Sequence, residues 1–136
     1  MLKKTFMAAT IAVLPLAAHA QSFRAINDLF VVPLGGATFE VIEANGEGPR
    51  GIWCAAAEYA YNRLGADDRV YLRVGRSPAQ SVAGRKAVGF TTDPAALPRA
   101  PFTSISLSTS QVGMGLPVLH AIQFCHDDEL EPDFGF

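Results

Sequence analysis

The chain holds two cysteines, Cys54 and Cys125, and they are its most chemically informative residues. Cys54 lies near the start of a helix-like run, where a helix dipole favours the thiolate. His120, further along, could serve as its base, so the pair could form a nucleophilic site. The same sulfur can instead be bonded to Cys125, which is the only intramolecular pairing that two cysteines allow. These roles exclude each other, because a sulfur held in a disulfide is no nucleophile. An even cysteine count in an exported chain favours the bond. Closing a loop of about 70 residues is worth on the order of 4 kcal/mol in the chain-entropy picture. The disulfide Cys54–Cys125 is therefore the expected state.

Two further groupings could bind ligands. His120, His126, Asp127 and Asp128 offer imidazole and carboxylate donors suited to zinc or copper. On one strand, however, residues six apart lie roughly 20 Å from each other. One ion could be shared only if the chain turned back after Cys125, so neither a metal nor any other cofactor is assigned. Arg69, Arg73, Arg76, Arg85 and Lys86 gather around a Gly/Ser connection from Gly75 to Gly84. Arginine is well matched to carboxylate or phosphate, which makes Arg73, Arg76 and Arg85 candidates for holding a small anion. Alternatively they are solvated and meet the nearby Asp67 and Asp68.

The elements that must position these residues follow from pattern. Ile52 to Leu64 contains no Gly or Pro, is rich in alanine and ends at Gly65, which predicts a helix. Its apolar face is expected to carry Trp53, Ala57, Ala60, Tyr61 and Leu64. Alternation predicts strands at Phe39–Glu43, Val70–Val74, Ala87–Thr92, Thr103–Thr109 and Val118–Cys125, and Leu29–Pro33 could add a short edge strand. Within Thr103–Thr109, Ile105 and Leu107 are expected to point inward. Successive strands without intervening helices imply an antiparallel sheet. The expected fold is α+β, with one amphipathic helix packed on a mainly antiparallel sheet of four to five strands.

The run from Trp53 to Gly65 resembles the nucleophile helix of papain-like bacterial cell-wall hydrolases, including the CHAP-type amidases. Val118-Leu119-His120-Ala121-Ile122 is similar to the strand on which those enzymes keep their histidine. The resemblance implies Cys54 as nucleophile and His120 as base in a cysteine hydrolase acting on cell-wall peptides. It is the alternative to a non-enzymatic, disulfide-stabilised binding or accessory domain.

The first twenty residues place the domain. Lys3 and Lys4, an apolar stretch from Phe6 to Ala18 and the ending Ala18-His19-Ala20 are the three parts of a removable secretory signal. The apolar stretch is shorter than the roughly 20 residues that span a bilayer. Cleavage after Ala20 would leave a periplasmic or secreted chain with a single domain at residues 21–126 and an acidic tail at 127–136. From Gln21 to His126 the chain carries nine basic and eight acidic residues, without the basic stripe a phosphate backbone requires. Nucleic acid is excluded as a partner, and stable membrane insertion is not expected. A protein or a small anionic ligand fits this charge.

Overall fold

The computed structural model describes residues 22–75 and 81–126. The signal-peptide assignment, the acidic tail, Arg76, Asp127 and Asp128 lie outside the described residues. The strands are β1 (Phe23–Arg24), β2 (Phe30–Gly35), β3 (Thr38–Ile42), β4 (Arg69–Val74), β5 (Ala87–Thr91) and β6 (Gly115–Pro117). The helices are α1 (Pro49–Asn62) and α2 (Val118–Ile122), with short 3₁₀ turns at Pro94–Ala96 and Gln123–His126. All six strands join one antiparallel sheet in the order β1-β2-β3-β5-β4-β6. The α+β class holds, with six strands where the pattern predicted four to five.

Period-2 alternation decides the two faces of this sheet. Val31, Phe39, Val41, Val70, Leu72, Val88 and Phe90 are fully buried and share the core with α1. Their neighbours Glu40, Gly89 and Tyr71 belong to the opposite face, since successive side chains of a strand point to opposite sides. An aromatic chain crosses the core. Phe23 meets Tyr59, Tyr59 meets Phe39, Phe39 stacks on Phe90, and Phe90 receives the edge of Trp53, at centroid separations of 4.6–6.0 Å. Such pairs add about 0.5–1.5 kcal/mol each beyond their buried area. Burial also pushes the Tyr59 hydroxyl above its ordinary pKa, against the opposing pull of the Arg63 guanidinium.

Helix α1 begins at Pro49, three residues before the expected start. Proline is tolerated in the first turn, where its missing N–H has no intrahelical partner to lose. The helix ends at Asn62, two residues short of the expected Leu64, and the chain leaves it through a turn to Gly65, whose φ of 63° suits glycine. Burial extends further around α1 than its periodicity indicates. Every residue from Gly51 to Ala57 is buried, together with Tyr59 and Ala60, while Tyr61 is exposed. The sheet covers one side of α1, and α2 with the following 3₁₀ turn covers another. The alanines of α1 thus do more than favour helix. They let neighbours approach it closely on several sides at once.

Two predicted strands are corrected. Residues 103–109 form an irregular loop in which Ile105 is fully exposed, although Leu107 does pack against the core. The serines are the cause. Ser104 Oγ accepts the backbone N–H of Ser106, and Ser108 Oγ accepts that of Ser110, so local turns take the donors that a ladder would need. Residues 118–125 form α2 and a 3₁₀ turn. Val118 and Ala121 are buried while Leu119 and His120 are exposed, which is helical spacing. The adjacent strand, β6, ends at Pro117, immediately before this segment.

The segment Leu29–Pro33 does contain a strand, displaced to Phe30–Gly35 and paired on both sides. Pro33 is accommodated because β1 reaches only Val31 and Phe30, leaving the β1 side of Pro33 without a ladder partner.

Close packing also constrains β6. A Cβ at Gly115 would lie 2.5 Å from the Tyr71 ring, so the ring needs the space that glycine leaves. Gly115→Ala is expected to cost about 1–3 kcal/mol, the scale of overpacking. A shift in the urea midpoint measures it, and the double variant Gly115→Ala with Tyr71→Ala should recover part of the loss.

Candidate functional site

Cys54 and Cys125 are joined in a disulfide. Their Cα atoms lie 5.1 Å apart, inside the usual range for such a bond. Cys54 is fully buried in the first half of α1, and Cys125 is half-buried in the 3₁₀ turn that follows α2. The bond thus ties the centre of the domain to its last described element. His120 sits on the exposed side of α2, its ring edge-on to Phe124. The Cys54–His120 couple implied by the hydrolase resemblance therefore has its sulfur sealed in a bond and its imidazole at the surface of a helix.

Glu58, one turn after Cys54, brings its carboxylate within 4.8 Å of both sulfurs. With those sulfurs bonded to each other the trio offers no thiolate, and Glu58 Oε2 already accepts the backbone N–H of Ile26. Its donor set is unsuited to a metal in this state. His126 follows His120 through helical turns and not along a strand, which removes the strand-length objection to their sharing an ion. Asp127 and Asp128, the carboxylates of that grouping, lie outside the described residues.

Among the described residues, Arg69, Arg73 and Arg85 border three different hollows. Arg85 is exposed and borders a shallow hollow with Arg24, Asp28 and Asn45. Arg69 borders another with Tyr71 and Phe102. Arg73 turns into a separate cleft on the outer face of the sheet. Neither Arg73 nor Arg85 pairs with Asp67 or Asp68 among the described residues.

That cleft was not anticipated from the sequence, apart from Arg73. Its volume is about 290 Å³, and its walls come from Leu34, Glu40, Arg73, Val74, Gly75, Ser81, Ala87 and Gly89. The sheet register explains how it forms. Gly89 on β5 stands opposite Glu40 on β3 and opposite Val74 on β4, so the middle strand contributes no side chain where its neighbours do. On β4 the ladder passes from Leu72 to Val74, leaving Arg73 as the extra residue of a bulge; on β2 it passes from Pro33 to Gly35, leaving Leu34 extra. Bulges re-aim side chains, and both skipped residues line the cleft.

The polar groups of the cleft are held firmly. Glu40 is only 5% exposed. Its Oε1 accepts the Ser81 hydroxyl at 2.8 Å and the Val82 backbone N–H at 3.1 Å. Its Oε2 has no hydrogen-bond partner among the described residues and is not sealed from solvent. Arg73 donates from Nε to the Ala96 carbonyl at 3.1 Å, which fixes the guanidinium plane. The two terminal nitrogens of Arg73 have no partner among the described residues. A comparison of the chain with protein-family models, with curated proteins and with solved structures finds no match.

Proposed function

We propose that this chain is a small exported, non-enzymatic binding or accessory domain, stabilised by its disulfide and working in the periplasm or outside the cell. One observation carries the proposal: the sulfur of Cys54 is bonded to Cys125 in the interior of the domain and so is unavailable to attack a substrate. The bond also suits an oxidising compartment, and the charged, apolar and A-x-A parts of residues 1–20 read as the signal that would direct the chain there. No helix among the described residues is long and apolar enough to cross a membrane. The cleft beside Gly89 supports binding as the role, since it presents fixed polar groups on rigid strands.

Two measurements test this function. Protein recovered from its host should begin at Gln21, and retention of Met1 would contradict export. Incubated with purified cell-wall sacculi, the mature protein should release no new amino termini. Release that disappears in Cys54→Ala would establish the hydrolase instead.

A further inference from the structure

We infer that the cleft on the outer sheet face is a binding site for a free α-amino acid, with the ligand carboxylate on Arg73 and its ammonium at Glu40. The inference rests on the binding-domain proposal and names the ligand class of its cleft. Three features of the site lead to it.

The first is the pairing of charges. A buried carboxylate and a half-buried guanidinium line one cleft, yet they form no ion pair with each other. Neighbouring strands lie about 4.8 Å apart, so β3 and β4, on either side of β5, stand roughly 10 Å apart. Gly89, on the strand between them, adds no side chain of its own and lines the cleft. A ligand carrying both signs would complete both groups at once.

The second is donor and acceptor geometry. With Nε of Arg73 committed to Ala96, its two terminal nitrogens remain to grip a carboxylate. Oε1 of Glu40 is saturated by Ser81 and Val82, so Oε2 is the acceptor left for an ammonium. A bare anion would satisfy Arg73 but would meet the Glu40 carboxylate as a like charge.

The third is size and lining. A volume of about 290 Å³ stands at the small end of ligand pockets, which run from about 300 to 1,000 Å³. Leu34, Val74 and Ala87 supply an apolar wall for a short aliphatic side chain. The floor is glycine, and a Cβ there would come within 3.2 Å of Val74 Cβ. The group that approaches this strand glycine closely is Val74, which forms the wall beside it.

Titration of the ¹⁵N-labelled mature protein, followed by NMR, tests the inference. Glycine, L-alanine and L-valine should shift the amides of Val74 and Gly89, and at least one should bind with a Kd below about 1 mM. Propionate, ethylammonium and inorganic phosphate should bind at least tenfold more weakly than L-alanine. Glu40→Gln keeps the shape of the side chain and its bonds to Ser81 and Val82, and it should lose tenfold or more. Arg73→Gln should lose as much, and Gly89→Ala should bind nothing detectable. Thermal melting of each variant separates lost binding from lost fold, and Glu40→Gln, the mildest change, decides the matter if the others unfold. Absence of shifts with all three amino acids overturns the inference, as does phosphate or propionate matching L-alanine. Preference for glycylglycine over glycine overturns the assignment to a free amino acid. A thiol titration of the same sample keeps the two levels apart. With no free thiol, failure to bind removes only the amino-acid site, whereas a reactive Cys54 removes the binding-domain proposal beneath it.

Discussion

Reduction of Cys54–Cys125, or the substitution Cys125→Ala, is expected to lower the stability of the domain by about 4 kcal/mol. The two cysteines are 71 residues apart, and opening so long a loop restores much conformational freedom to the unfolded chain. Set against a total of roughly 5–15 kcal/mol for a domain, the loss is large, and for a chain of this size it corresponds to a fall in Tm of roughly 15 °C or more. The placement of the bond strengthens the expectation. Val118 and Ala121 of α2, with Ile122 and Phe124, pack onto the core that α1 shares with the sheet. The disulfide holds that C-terminal segment against α1. Melting followed by circular dichroism, with and without reductant, measures the effect. An unchanged midpoint would show that packing alone secures the C-terminal segment.

Trp53→Ala should be as damaging, at about 3–5 kcal/mol, the usual cost of removing a buried Trp or Phe side chain. Trp53 is fully buried, meets the Phe90 ring edge-on at 4.9 Å, and donates its indole N–H to the Ser108 carbonyl at 2.8 Å. It therefore serves both the core and the loop at residues 103–110, whose serines bond chiefly to their own backbone. Trp53→Phe separates the two contributions. It keeps most of the packing and drops the bond to Ser108, so about 1–3 kcal/mol should be lost. In that variant, amide exchange should quicken at residues 104–110 before it quickens in β3 or β5. Equal loss of protection throughout would show that the indole bond does not act on the loop in particular.

The legible parts of the fold were those in which one physical signal dominated. Val70-Tyr71-Leu72-Arg73-Val74 alternates without interruption and is β4; Ile52 to Asn62 is alanine-rich, free of Gly and Pro, and helical. The two cysteines admitted one pairing, and the expected export favoured it. Segments 103–109 and 118–125 misled because a short window can satisfy two patterns. Alternating serines look like the solvent side of a strand, yet their hydroxyls capture the backbone donors of that strand. The aliphatic residues after Pro117 look like a strand until burial separates Val118 and Ala121 from Leu119 and His120. The helix was recognised, but its nearly complete enclosure depends on where α2 returns, which local periodicity does not encode.

The cleft was only partly legible, for the same reason. Arg73 stood out by its type, and it was grouped with Arg76 and Arg85 because all three are near in sequence. Across the sheet, its partner in the cleft is Glu40, from a strand some thirty residues earlier. Two bulges and Gly89 create the space between them, and bulges depend on strand register. A glycine within the otherwise apolar run Ala87-Val88-Gly89-Phe90 was the one local signal that something approaches the sheet closely there.

The state of Cys54 decides between a braced binding domain and a thiol enzyme. The native protein, exposed to iodoacetamide and then digested without reduction, gives the most direct measurement by mass spectrometry. The expected result is no alkylated cysteine and a single linked species joining the Cys54 and Cys125 peptides. Rapid alkylation of Cys54 in the folded protein, with the Cys125 peptide recovered unlinked, would contradict it.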